Sequence, residues 1–201
     1  MPDQTTSVGM ERKLAAIFST DVAGYSRLMG DDEEATIRTL TDYRARISSL
    51  IQHYRGRVVD SPGDNLLAEF ASAVDVVRCA VEIQHALKDR NTELPTQHRM
   101  EFRIGINVGD VIVEGEKIYG DGVNIAARLE GLAETGSICI SETVHDQIEN
   151  KLALKVKLTR EEQERFRHAP TDNLEAYDAY LRGVAYFWRY TQEAHAQARQ
   201  L

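Results

Sequence analysis

Cysteine is nearly absent from this chain. Its two thiols, Cys79 and Cys139, sit inside the apolar runs VVRCAVEI and SICISE. Neither a disulfide framework nor a zinc-ligand spacing can be drawn from them, and both read as small buried hydrophobes in a reducing compartment. Long apolar stretches are also missing, and no run approaches the ~18 residues that cross a bilayer. The first ten residues, MPDQTTSVGM, lack the apolar centre of a secretion signal and read as part of a flexible tail over 1–11. The expectation is a cytoplasmic protein without a membrane span. Positive charge is in deficit as well: 24 Lys and Arg stand against 32 Asp and Glu, a formal net charge of −8. Sequence-independent nucleic-acid binding needs many cations on the phosphates, so no nucleic-acid partner is expected. A nucleotide ligand is not excluded, because a bound metal ion inverts the local field.

What is present is an ordinary globular profile. Apolar residues make up 42% and charged residues 28% of 201 positions, enough for one domain with a buried core and a small appendage. The run LAAIFST (14–20) reads as a buried strand, Gly24-Tyr25-Ser26 as a turn, and Asp31-Asp32-Glu33-Glu34 as a helix start. Ile37, Leu40, Tyr43, Ile47, Leu50 and Ile51 carry the helical period that follows. Residues 57–70 read as a hairpin around Ser61-Pro62-Gly63-Asp64-Asn65, and 72–89 as an amphipathic helix. Phe102, Ile104, Ile106 and Val108 alternate as a strand. Val111-Ile112-Val113 then reads as its partner across a second hairpin at Gly109-Asp110. A glycine-opened helix (120–133), a short strand (137–140) and a helix from Ser141 complete the series. The order predicts an α+β fold, a ferredoxin-like βαββαβ sandwich with its helices on one sheet face. The domain is placed at 12–155. Past it, TREEQERFRHA and LEAYDAYLRGVAYFW predict a helical extension over 159–201.

Three segments could carry chemistry. Asp21 closes a buried strand, and Asp64 sits in the turn of a hairpin that can lie beside it. Alone, each is more simply a turn residue; together at one sheet edge they could hold Mg²⁺ with phosphate oxygens. The loop from Val22 to Ser26 runs toward a helix, and its amides could cradle phosphate. In GDGVNIAARLE, Asn124 and Arg128 are i and i+4 and share a helix face. Such a pair is commonly mere surface polarity, yet Arg suits charge growing on a phosphate and Asn can orient a sugar oxygen.

In this order, FSTDVAGYSRLM, GDNLLAEF and IYGDGVNIAARLE, with FRIGINVGDVIV between the last two, resemble the signature segments of class III adenylate/guanylate cyclases over roughly 12–150. The resemblance implies a fold of the nucleotidyl cyclase type and conversion of ATP or GTP to a 3′,5′-cyclic nucleotide and pyrophosphate. It implies two Mg²⁺ or Mn²⁺ ions per site, held by Asp21, the Val22 backbone and Asp64. Val22, Ala23, Gly24, Tyr25 and Ser26 match the triphosphate loop. Asn124 matches the residue that positions the ribose, and Arg128 the one that stabilises the transition state. In the family these groups come from opposite subunits, so a head-to-tail homodimer is implied.

The sequence departs from the family in two places. At the purine-reading positions, where adenylate cyclases carry Lys and Asp or Thr, it has Asp60 and Lys117. Asp accepts and Lys donates, which suits the N1 and N2 donors and O6 acceptor of guanine better than adenine, unless both side chains are solvated or paired with each other. Second, the family's C-terminal hairpin with its triphosphate-binding Lys is largely missing, and Lys155 or Lys157 replaces it at best in part. The segment beyond resembles the lead into a tetratricopeptide-like array, and a contact with a protein partner is expected there. Retention of Asp21, Asp64, Asn124 and Arg128 favours an active enzyme. The alternative is a degenerate cyclase domain that binds nucleotide as a regulatory or dimerisation module. A diguanylate cyclase is the third reading, and no Gly-Gly-Asp-Glu-Phe segment supports it.

Overall fold

The structure, a computed structural model, describes residues 11–152. The predicted features at Lys155 and Lys157, the helical extension and its partner contact therefore lie outside the described residues. The first strand, β1, runs over Glu11–Val22 and starts earlier than its apolar run. A short helix, α1 (Tyr25–Asp31), follows where the sequence predicts only a turn. Asp32 then separates α1 from α2 (Glu33–His53): its backbone is extended, and its Oδ1 accepts the Ala35 amide at 2.9 Å. Glu33 and Glu34 fill the first turn, where the helix dipole favours negative charge. α2 ends at His53, and just beyond it Arg55, with φ 64°, lets the Gly56 amide return to the Ile51 carbonyl at 2.8 Å.

The hairpin β2 (Arg57–Asp60) and β3 (Leu66–Phe70) forms as predicted. Next come α3 (Ala73–Thr92), capped by the Ser72 hydroxyl, and β4 (Phe102–Glu114). β4 corrects the sequence reading. It continues straight through Gly109-Asp110 and stays in register with β1 from Val113 opposite Glu11 to Phe102 opposite Val22. Gly109 serves packing rather than turning, since a Cβ there would lie 3.3 Å from the Gly122 Cα. The reversal comes at Gly115, with φ 62°, and leads into β5 (Lys117–Tyr119).

The sheet order is β2-β3-β1-β4-β5, and its antiparallel β2-β3-β1-β4 part is the predicted ferredoxin-like arrangement. After α4 (Asp121–Leu132), β6 (Ile138–Ile140) pairs parallel with the first half of β4, and α5 (Glu142–Ile148) follows. Strand alternation splits the core in two. Phe18, Ile104 and Ile106 face a large cluster with Tyr43 and Ile47 of α2, Ile83 and Leu87 of α3, and Val144 of α5. Ala15 and Ile17 point the other way, to a smaller cluster with Val111, Ile118 and Ala126 of α4. The expectation that all helices share one face is therefore corrected: α4 alone crosses the opposite face. It can do so because Gly105 has no side chain; a Cβ there would sit 2.2 Å from both the Ala126 carbonyl oxygen and the Glu130 nitrogen. Each fully buried Leu, Ile or Phe in these clusters contributes about 1.5–3 kcal/mol. The sheet curls enough that Arg57 of β2 reaches the Glu116 carbonyl, in the turn before β5, at 2.8 Å.

Candidate active site

Asp21 is the penultimate residue of β1, on the same face as Ile17 and Ser19. Directly across the ladder stands Arg103 of β4. Its Nε donates to Asp21 Oδ1 at 2.9 Å and its Nη2 to Oδ2, a forked pair that pushes the Arg103 pKa further up. Asp64 lies in the turn between β2 and β3, beside Gly63 with φ 56°. That turn is gripped from α2: Arg44 Nη2 donates to the carbonyls of Ser61 (3.3 Å), Gly63 and Asn65 (3.1 Å). From the other side, Asn65 Nδ2 donates to Glu130 Oε2 at 3.2 Å.

Glu130 is buried, and the same Oε2 accepts the Ser19 hydroxyl at 2.5 Å. Burial pushes its carboxyl up to about 7, with the Asp21 charge adding to the rise while Ser19, Arg103 and Asn65 oppose it. The guanidinium of Arg103 lies in the field of Asp21, Glu130 and Asp64 together. One end of the sheet thus gathers three carboxylates around one cation. Among the described residues, no group of three or more His, Cys, Asp or Glu side chains has a metal-holding arrangement. A divalent ion at Asp21 and Asp64 would complete its oxygen shell from backbone and ligand. Asp21 suits such an ion, because it already faces a cation, the Arg103 guanidinium.

The loop after β1 is more particular than its sequence suggests. Val22 is buried at the end of the ladder, opposite Phe102, and the Ala23 amide donates to the Glu101 carbonyl at 2.8 Å. Gly24 adopts the left-handed conformation, φ 71°, and opens α1. The amides of Gly24, Tyr25 and Ser26 have no partner among the described residues. On α4, the buried face is Gly122, Ala126, Leu129 and Glu130, so Asn124 and Arg128 face solvent. Neither side chain bonds to the carboxylate cluster of its own chain. Asp60 is exposed at the end of β2, its Oδ1 accepting the Ser61 amide at 2.8 Å. Lys117 is exposed at the start of β5, opposite Glu114. The Arg57–Glu116 contact draws these two sheet edges together.

A profile described as the adenylate and guanylate cyclase catalytic domain matches residues 10–177. The chain belongs to that family. A Rhizobium meliloti (strain 1021) protein named as a candidate adenylate cyclase is 41% identical over 143 residues, 71% of this chain and 24% of the relative. An adenylate cyclase of Streptomyces coelicolor is 27% identical over 69% of this chain and 35% of its own length. The cyclase domain thus spans about a quarter to a third of these two relatives. Among solved structures, an adenylate/guanylate cyclase/hydrolase from Silicibacter pomeroyi is similar with 42% identity and a TM-score of 0.68, covering 72% of this chain and 85% of that one. An adenylyl cyclase of P. aeruginosa is similar with 25% identity and a TM-score of 0.65, covering 71% and 84%.

Three polar residues of this cyclase domain escape a reading of the sequence alone: Arg103, Glu130 and Arg44. Arg103 alternates with Phe102, Ile104 and Ile106, so it must point to the opposite sheet face; only the β1–β4 register shows that Asp21 is its neighbour. Glu130 had a signal, being a charged residue on the buried side of a helix with Ala126 and Leu129. Arg44 lies beside Tyr43 on α2, and nothing in the helical period distinguishes it from a solvated arginine.

Proposed function

We propose that this cyclase-family domain converts ATP or GTP to the 3′,5′-cyclic nucleotide and pyrophosphate in a head-to-tail homodimer. The observation that carries the proposal is the division of the site residues: Asp21 and Asp64 gather around Arg103, while Asn124 and Arg128 face solvent on α4 of the same chain. Each chain then offers two half-sites, and a second copy completes both.

Asp21, the Val22 carbonyl and Asp64 would hold the divalent ions, two Mg²⁺ or Mn²⁺ per site. Such ions would supply activation of the ribose 3′-oxygen and charge compensation for the triphosphate. Arg103, released from Asp21, presents a guanidinium fork to a phosphate. The loop from Val22 to Ser26 cradles the triphosphate chiefly through the amides of Gly24, Tyr25 and Ser26, since the Ala23 amide is already donated. From the partner chain, Asn124 orients the ribose and Arg128 meets the charge that grows on the α-phosphate. The O3′–Pα bond forms as the Pα–O bond to pyrophosphate breaks, and the proton of the 3′-hydroxyl passes to solvent. Asp60 and Lys117 read the purine edge, a donor–acceptor pair matched to guanine.

Mixing two inactive variants tests the shared site. Asp21→Ala and Arg128→Ala each abolish turnover alone. Their equimolar mixture, after subunit exchange, regains about a quarter of wild-type rate, because about half the dimers are mixed and each has one intact site. A mixture as inactive as its components, with mixed dimers present, contradicts the shared site.

A further inference from the structure

The proposed reaction gives a task to Asp21, Asp64 and Arg103 but none to Glu130, although Glu130 is the most enclosed charge of the cluster, 6% exposed. Its Oε2 accepts two bonds, from Ser19 at 2.5 Å and Asn65 at 3.2 Å. Ser19 lies two residues before Asp21 on the same face of β1, and Asn65 directly follows Asp64. Glu130 itself belongs to α4, the helix of Asn124 and Arg128. One carboxylate oxygen therefore ties both aspartate-bearing segments to the helix that the proposed dimer lends to its neighbour's site. Gly105 brings this tie within reach by letting the backbone at Ala126 and Glu130 lie directly on β4.

We propose that Glu130 is a positioning residue that couples the two active sites of the dimer, by fixing α4 to Ser19 and Asn65 beside the metal-binding aspartates. The inference rests on the shared-site reading above. An arrangement of the metal half-site in one protomer is transmitted through Glu130 to Asn124 and Arg128, and so to the other site. A carboxylate that only anchored the fold would alter stability and leave this transmission untouched.

The mixed dimer of Asp21→Ala and Arg128→Ala chains separates these roles. Its working site takes Asp21 and Asp64 from the Arg128→Ala chain and takes Asn124 and Arg128 from the Asp21→Ala chain. Glu130→Ala is added to one chain at a time. The expected result is a fall in kcat of about tenfold or more in either placement, with a smaller change in KM. Glu130→Gln in the same placements restores most of the rate, since the amide oxygen still accepts from Ser19 and Asn65. If the alanine variant does not fold, Asn65→Ala in the Asp21→Ala chain is decisive. That Asn65 belongs to the dead half-site, so its effect on the working one must pass through Glu130; a several-fold lower kcat is expected. An unchanged rate there, or a Glu130→Ala effect confined to one placement, overturns the coupling. Absence of product from the mixed dimer with Glu130 intact overturns the shared site instead, and the coupling with it.

Discussion

At the residue scale, the site is a balance between three carboxylates and one guanidinium. Arg103 now neutralises Asp21, so it competes with any cation drawn there. Arg103→Ala is expected to bind Mn²⁺ more tightly than wild type in the absence of nucleotide, measured by titration calorimetry. Equal affinity would show that the pair does not guard the site. Glu130 adds a pH signature. Its carboxyl stands at about 7 in the folded chain against an ordinary value of 4.5. The folded state therefore holds a proton that the unfolded state releases, and this stabilisation, complete below the ordinary value, is lost as pH rises through about 7. Glu130→Gln removes the dependence. The Tm of wild type relative to this variant should be higher near pH 5 than near pH 8, and a flat difference would contradict the protonated carboxyl. Asp21, Asp64 and the α4 pair stand out in the sequence because they sit in recognisable local segments. Arg103 was not, because its partner lies across a ladder whose register the sequence does not display.

At the scale of elements, glycines decide how close α4 comes to the sheet. The pair Gly109-Asp110 resembles a turn in sequence, yet the strand runs on because Ala15 and Leu14 pair with it and Gly122 packs over it. Local turn chemistry lost to a long antiparallel ladder, and Gly115, further along the chain, made the turn instead. The longer helices α2 and α3, by contrast, were readable from their apolar period, while the short α1 was not. Which face each helix covers was not, since α4 shows an apolar stripe but no sign of its side of the sheet. Gly105→Ala tests that packing. The added Cβ would press on backbone atoms at 2.2 Å, which cannot rotate away. A loss of about 3 kcal/mol in unfolding free energy is expected, with lower activity as Asn124 and Arg128 move. A near-neutral substitution by denaturant titration would mean that α4 sits less tightly than described.

At the scale of the whole molecule, the fold gathers Asp21, Asp64, Arg103 and Glu130 at one end of the sheet and turns Asn124 and Arg128 to solvent. The order of elements supports the ferredoxin-like arrangement: a tight hairpin joins β2 to β3, and helical crossovers join β1 to β2 and β3 to β4, which places β1 between β3 and β4. It also carries the family, which the match over residues 10–177 establishes. A choice between purines is not legible in it: Asp60 and Lys117 face solvent at two converging sheet edges. The measurement that bears most directly on the account is cyclic nucleotide formation by the purified chain. ATP and GTP are offered separately in Mg²⁺ and in Mn²⁺, beside Asp21→Ala. Cyclic product that vanishes in the variant is expected, with GTP the better substrate if Asp60 and Lys117 read the base. Nucleotide binding without product under every condition would contradict it and leave a regulatory domain in the place of an enzyme.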